Sequence, residues 1–314
     1  MPSGASTVAE PTRAATVAIV GLPNSGKSTL LNALVGEKLA AVSQTPQTTR
    51  TRILGVVERG RAQLAFLDTP GIHTPKHALN HRMLHHVDAA LAEADLILWV
   101  VDADGFLGPG ERELAKRLAR AAQPVYLLLN KIDLVSKGRL MEKVVAYKDL
   151  LAFREIVPVG AKLGQNLEPL WALLERDAPE GPWPFGEAEF TDQTERSLTA
   201  EFIREKVLRK TRDEVPHGVA VLIRRWLEEG ADDYPEDLEP GGTCIHAEII
   251  VERDNHRKII LGSGGEMIRD IRHSAQRELR KLLQRPVRLE LHVVVEEAWR
   301  DRPDKLDRFL GSEG

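Results

Sequence analysis

One eight-residue stretch constrains this chain more than any other: Gly21-Leu22-Pro23-Asn24-Ser25-Gly26-Lys27-Ser28, followed by Thr29. It comes after the apolar run 16–20 and opens the helix-period segment 27–35. A strand that ends in a glycine-rich loop and turns at once into a helix makes a cradle for phosphate. Its backbone N–H groups converge, and the positive end of the helix faces them. The amides of residues 24–29 are expected to wrap the phosphates. Gly21 and Gly26 supply backbone angles and close approach that a Cβ would block. Lys27 is expected to reach the terminal phosphates and the Ser28 hydroxyl to ligate Mg²⁺.

The rest of the first half repeats a strand–helix alternation. The runs 16–20, 63–67, 96–101, 125–129 and 156–159 are continuously apolar, as strands buried on both faces are. Between and after them lie helix-period segments at 27–35, 80–94, 111–122, 140–151 and 168–175, and 53–57 reads as an added edge strand. This predicts an α/β domain with a mostly parallel sheet over residues 14–176.

Three further motifs fall at strand ends. Asp68-Thr69-Pro70-Gly71, with Ile72 after it, suits a carboxylate held toward the metal through water and a Gly71 N–H that senses a γ-phosphate. Asn130-Lys131-Ile132-Asp133 suits guanine: Asp133 can accept from N1–H and the exocyclic amine, donors that adenine lacks. Lys131 would lie over the base and Asn130 would tie this loop to the first. In Gly160-Ala161-Lys162 the Ala161 N–H is expected to face guanine O6. Pro46-Gln47-Thr48-Thr49-Arg50 lies where a switch loop carries a magnesium-binding threonine, here Thr49. The expected ligands are therefore GTP or GDP with Mg²⁺, and the catalytic set is Lys27, Asn24, Thr49 and Gly71. Ile72 cannot polarise water, so hydrolysis should be slow unless another group stabilises the transition state. Asn24 resembles the asparagine that holds K⁺ in cation-dependent GTPases, which would make turnover K⁺-stimulated.

Residues 177–192 are rich in Pro, Gly and acid and read as a linker. Residues 193–314 then show the order α-β-β-α-α-β: a helix at 195–211, strands at 218–226, 243–253 and 287–295, an acidic turn segment at 228–242, and a helix pair around Gly262-Ser263-Gly264-Gly265. A GxxG loop lets backbone amides clamp a nucleic-acid strand. From Arg253 to Arg288 there are ten Lys/Arg against four Asp/Glu in a chain of net charge −4, so this stretch is a local basic patch. The RNA-contacting candidates are Arg253, Arg257, Lys258, Gly262, Ser263, Gly264, Gly265, Arg269 and Arg272.

Other features carry less. The single cysteine, Cys244, lies in an apolar run, reads as a core residue, and is taken to exclude an intrachain disulfide and a cysteine zinc site. His73, His77, His81 and His85 recur every four residues, but Pro75 interrupts the first turn and no carboxylate completes a metal set. No apolar run reaches the roughly 20 residues of a membrane helix. Residues 1–15 lack a signal-peptide pattern and read as a frayed tail.

Taken in order, these motifs resemble the Era family of GTPases over about 16–311. So do the less mechanistic segments Arg204-Glu205-Lys206, Glu214-Val215-Pro216-His217 and Val251-Glu252-Arg253. Gly160 stands where that pattern has serine and Ser263 where lysine is common. The resemblance implies a Ras-like domain followed by a type II KH domain. It also implies binding near the 3′ end of 16S rRNA during 30S subunit assembly, a cytoplasmic monomer, and loose association with the inner face of the membrane. A tRNA-modification GTPase and an RNA-binding scaffold with a structural nucleotide site remain as alternatives.

Overall fold

The computed structural model describes residues 11–310 except 44, 46–47, 73–76, 187–189, 212–214 and 216–217. Pro46, Gln47, His73, Pro75, Glu214, Pro216 and His217, which figured in the sequence reading, lie outside the described residues.

The first body is a six-stranded sheet of order β2-β3-β1-β4-β5-β6. Its strands are β1 (Arg13–Val20), β2 (Ile53–Arg59), β3 (Ala62–Asp68), β4 (Leu96–Asp102), β5 (Val125–Asn130) and β6 (Glu155–Val159). Only the β2–β3 pair is antiparallel, which makes β2 the added edge strand. Alternate residues of β1 explain the continuous apolar run. Val17 and Ile19 pack toward α1 (Lys27–Val35) and α5 (Leu167–Asp177). Ala18 and Val20 pack toward α2 (Ala78–Glu93), α3 (Pro109–Leu118) and α4 (Lys137–Tyr147). Both faces are covered, so the central strands β1, β4 and β5 are apolar almost throughout, while edge strand β2 ends on exposed Glu58 and Arg59. The order reverses direction at β1, and ligands of such sheets bind beyond the strand ends at that reversal.

One expectation needs correction. Residues 13–15 are not tail but strand, paired with β3. Arg13 also bridges Glu180, and Thr12 accepts the Gly181 N–H on its carbonyl. Residues 177–192, read as a linker, include several that are hydrogen-bonded to the first body. Val56 N–H donates to Phe190 O at 2.8 Å, and Phe185 is bonded to Gln63. Thr191 Oγ1 donates to Leu54 O at 2.7 Å. The segment therefore lies along the exposed side of the first body and satisfies backbone groups that edge strand β2 would otherwise leave open.

The second body is a three-stranded sheet, β7 (Ala220–Glu228), β8 (Thr243–Val251) and β9 (Val287–Val295). The β7–β8 pair is antiparallel and β8–β9 parallel. Helices α6 (Glu195–Thr211), α7 (Asp254–Leu261) and α8 (Glu266–Leu283) cover one face through Ile245, Ala247 and Ile249. One element was not anticipated. Helix α9 (Pro303–Leu310), entered through a short turn at Trp299–Asp301, lies against the other face. Trp299, Leu306 and Phe309 pack there with Ala220, Leu222 and Ile250, and with Leu79 and Met83 of α2. That cluster joins the two bodies by buried apolar surface, worth about 25 cal/mol per Å² removed from water.

Candidate functional site

The loop after β1 turns on Asn24 (φ 64°) and Gly26 (φ 98°) before α1 begins. A Cβ on Gly26 would lie 2.2 Å from Asn130 Nδ2, and that amide donates to Ser25 O at 2.8 Å. The glycine is thus the reason the loop after β5 can close on the first loop, as the sequence reading expected of Asn130. Gly71 approaches from the other side, with a would-be Cβ 2.8 Å from Pro23 backbone. The Ile72 N–H donates to Gly21 O at 3.1 Å.

Ser28, Thr49 and Asp68 come from α1, the loop before β2 and the end of β3, and they converge. Ser28 Oγ donates to Asp68 Oδ2 at 2.6 Å and lies 2.8 Å from Thr49 Oγ1. Asp68 is fully buried, and its Oδ1 has no hydrogen-bond partner among the described residues. Burial raises its pKa to about 6, against the opposing pull of Lys27 and the Ser28 and Thr49 hydroxyls. Lys27, also buried, donates to Gly21 O at 3.3 Å and Leu22 O at 3.1 Å, and desolvation lowers its pKa to about 8. Two hydroxyls and a half-satisfied buried carboxylate fit a hard divalent cation. A buried ammonium beside converging amides fits a phosphate chain. Each charge is held at a cost that the other ligand would relieve. A cavity of about 60 Å³ lies between Pro23–Thr29, Thr48–Thr49 and Gly71.

On the base side, Lys131 is in the left-handed region (φ 66°) and its Nζ donates to Asp102 at 2.6 Å. Asp133 is exposed in the short turn Ile132–Leu134. The Ala161 N–H departs from expectation: it donates to Asn130 Oδ1 at 3.0 Å and so ties the two base loops together. Guanine O6 would have to share or displace that bond. Gly160 also has a local reason. A Cβ there would lie 2.5 Å from Gln165 Oε1, and Gly160 and Gln165 exchange both backbone hydrogen bonds at 3.0 Å. Gln165 thus fills the space a serine side chain would take, and the loop keeps its support.

The switch-loop residues next to Thr49 face the second body. Arg50 is buried, donates from Nη1 to Val219 O at 2.6 Å, and lies 5.5 Å from the Trp299 ring centroid. Desolvation pushes its pKa well below the ordinary arginine value, with Arg204 and Arg300 adding and Glu201 and Glu252 opposing. Arg204 donates to Thr48 O, Arg209 to Val42 O at 2.9 Å, and the Val42 N–H to Glu205 at 2.9 Å. Lys38 pairs with Glu205 and Glu278. At the start of α2, His77 meets Asp301 at 3.1 Å and Arg82 meets Asp307 at 2.5 Å. None of these partners followed from motif spacing. Arg204-Glu205-Lys206 marked a resemblance, but its physical reason is this contact.

In the second body the Gly262–Gly265 loop uses positive φ at Gly262, Gly264 and Gly265. Arg269 turns back on the loop, donating to Gly265 O at 3.1 Å and to Gly264 O. Lys258 and Arg257 pair with Asp254 on the exposed side of α7. Arg253 is exposed at the start of α7, and Arg272 borders a cavity of about 400 Å³ with Gln276, Arg280, Arg288 and Glu290. Arg253, Arg257 and Lys258 thus lie on α7 or at its start, and Arg269 and Arg272 on α8, on either side of the glycine loop in the chain.

A family model described as 50S ribosome-binding GTPase matches residues 16–131, and one described as KH domain matches residues 214–300. The chain is 43% identical to the GTPase Era of Heliobacterium modesticaldum, over 96% of this chain and 97% of that one. It is 44% identical to the GTPase Era of Geobacter metallireducens, over 92% and 94%. Among solved structures, Era in complex with MgGDPNP and nucleotides 1506–1542 of 16S ribosomal RNA matches with a TM-score of 0.87 at 39% identity, covering 95% of this chain and 98% of that one. A variant of Aquifex aeolicus Era bound to GDP and aluminium fluoride matches with a TM-score of 0.86 at 39% identity, covering 95% and 99%.

Proposed function

The chain belongs to the Era family of GTPases, and from that premise we propose a GTP-hydrolysing switch that binds 16S rRNA near its 3′ end and assists 30S subunit assembly. Residues 14–176 act as the GTPase domain, 177–192 as linker and 193–314 as the KH domain. The amides of residues 24–29 and the Lys27 ammonium hold the phosphates, and Leu22, Pro23 and Ser25 shape that loop. Ser28 and Thr49 hold Mg²⁺, with Asp68 acting through water; the ion neutralises charge on the β- and γ-phosphate oxygens. The Gly71 N–H senses the γ-phosphate, with Thr69, Pro70 and Ile72 carrying the second switch away from it. Asn130, Lys131, Ile132, Asp133, Ala161 and Lys162 form the guanine site. The Asp133 carboxylate discriminates, because adenine would leave it unpaired. Asn24 would hold a K⁺, which would supply the positive charge that an arginine finger supplies elsewhere.

One observation carries the reading. Thr49 Oγ1 is 2.8 Å from Ser28 Oγ, while the next residue, Arg50, is anchored in the second body at Val219 and Trp299. A γ-phosphate and metal that order Thr49 therefore act directly on how the RNA-binding body is held. Intact Lys27, Ser28, Thr49 and Asp68 argue against a scaffold with a purely structural nucleotide, and turnover separates the two, because a scaffold would bind GTP without hydrolysing it. The protein works as a cytoplasmic monomer. Any membrane contact is peripheral: no helix among the described residues is long and apolar enough to cross a membrane.

The test is binding to a short single strand copying the 16S 3′ end, with GDP or a non-hydrolysable GTP analogue, at fixed salt because phosphate contacts are screened. Selective binding that strengthens with the analogue is expected. Equal affinity in both states would remove the coupling, and no selective binding would remove the rRNA assignment.

A further inference from the structure

On the face of the second sheet turned away from α6–α8, beside the part that α9 covers, lies a side-chain cluster that includes none of the nucleotide or RNA candidates. Ile245, Ala247 and Ile249 of β8 face the helices, so Cys244, His246 and Glu248 face the other way. The parallel register sets His246 opposite Glu290 and Cys244 opposite Arg288 on β9. Cys244 is buried, as expected, but it belongs to none of the apolar clusters. Its Sγ lies 3.6 Å from His246 Nε2, and His246 Nδ1 lies 3.1 Å from Glu290 Oε2. One ligand atom from each of the three residues falls within 4.8 Å of the others.

We propose that Cys244, His246 and Glu290 form a site for a zinc-class divalent cation. The expectation that a single cysteine excludes such a site counted only sites built from several cysteines. Tetrahedral zinc with sulfur at ~2.3 Å and nitrogen at ~2.0–2.1 Å sets those two atoms about 3.5 Å apart. The Sγ–Nε2 separation of 3.6 Å already matches. Metal-bound histidines usually give their other N–H to a carboxylate, which fixes ring orientation; Glu290 is in that position. Binding removes the Cys244 S–H proton to solvent as the sulfur–metal bond forms. His246 binds through the Nε2 lone pair and keeps its proton on Nδ1. Glu290 accepts the Nδ1–H and so holds the ring in place, and water completes the shell.

The surroundings allow it. Burial, with Glu290 adding, raises the Cys244 thiol pKa, and Arg288 and Arg225 oppose that shift; a metal ion in the site would be the charge that releases the proton. Both guanidinium groups are paired, Arg288 with Asp237 and Arg225 with Asp233, so their repulsion of a cation is reduced. The side chains of His246 and Glu290 are 25% and 45% exposed and leave a way in. Thiolate and imidazole select zinc-class ions over Mg²⁺, so the nucleotide's metal does not compete.

The test uses the full-length protein saturated with Mg²⁺ and GDP and titrated with Co²⁺. Cys244 is the only thiol in the chain, so a cobalt–thiolate charge-transfer band in the near ultraviolet can arise only there. The band should appear at one cobalt per chain, disappear on adding Zn²⁺, and be absent in Cys244→Ser. Glu290→Gln should weaken cobalt affinity by roughly 10–100-fold. If Cys244→Ser does not fold by circular dichroism, His246→Gln serves instead and should lose at least tenfold. No band in the wild-type protein, or an unchanged one in His246→Gln, overturns the proposal.

Discussion

Replacing Arg50 with alanine should disconnect nucleotide state from RNA binding while leaving nucleotide affinity nearly intact. Arg50 makes a charged hydrogen bond of 2.6 Å to Val219 O and a cation–π contact to Trp299, both buried. A hydrogen bond from a charged donor contributes about 1.5–3 kcal/mol, and a desolvated cation–π contact about 2 kcal/mol or less. The cost of holding that charge out of water offsets part of this, which leaves roughly 2–3 kcal/mol for the pair. At 1.4 kcal/mol per factor of ten, the docked arrangement would lose roughly 30- to 150-fold in population. The expected readout is a ratio of RNA affinities, GTP analogue over GDP, that collapses toward one. Fluorescence anisotropy with a labelled strand measures the RNA term, and a fluorescent guanine nucleotide measures the nucleotide term. Arg50→Lys keeps the charge but not the planar group that stacks on Trp299, so it should recover only part of the ratio. A variant that keeps the wild-type ratio would refute this account. So would one whose nucleotide affinity falls by the same factor as its RNA affinity, because Arg50 would then belong to the nucleotide site alone.

Three further outcomes are expected. GTP turnover should be at least roughly tenfold faster in K⁺ than in Na⁺, and Asn24→Ala should abolish the difference; equal rates in the two salts would remove the role given to Asn24. Gly160→Ser should cost about 1–2 kcal/mol by overpacking against Gln165, seen as a fall of roughly 2–4 °C in Tm per kcal/mol. Adding Gln165→Ala should restore it, and strictly additive losses would mean the two residues do not share that space. Arg154 and Arg176 hold the Asp177 carboxyl well below its ordinary pKa, so its stabilisation is present above the unfolded-state value and is lost as pH falls through the folded one. Asp177→Asn should therefore lower Tm at pH 7 more than at pH 3, and an equal loss at both would show that the ion pairs are not the cause.

Much of the fold could be read from local pattern because its cause is local. Strands β1, β3, β4 and β5 are apolar almost throughout because helices cover both faces, and glycine marks loops that must approach one another. The start of β1 at Arg13 was hidden because its partners include residues 178–181, far along the chain. Helix α4 begins at Lys137, three residues before the apolar period suggests, because Ser136 caps it by accepting from the Arg139 N–H. That serine was a readable signal. So was the α9 pattern of Pro303 at the first turn with Leu306, Phe309 and Leu310 on one side. At the site, Ser28, Thr49 and Asp68 were legible because metal and phosphate demand those groups at strand ends. Arg50, Arg204, Glu205 and Trp299 were not, because what they touch belongs to the other body, and one-dimensional spacing carries no trace of such a contact.

Thr49 and Arg50 are consecutive, so a single peptide unit of about 3.8 Å separates the residue beside Ser28 and Asp68 from the one anchored beneath Trp299. A rigid amide has almost no slack. Only ψ of Thr49, φ of Arg50 and the torsions of the two side chains lie between the contacts, so a displacement at one has few places to be absorbed before it reaches the other. The two sites then share one mechanical coordinate instead of exchanging a signal through a pathway. Inserting one glycine between Thr49 and Arg50 would leave both partners intact and remove only the stiffness of their connection.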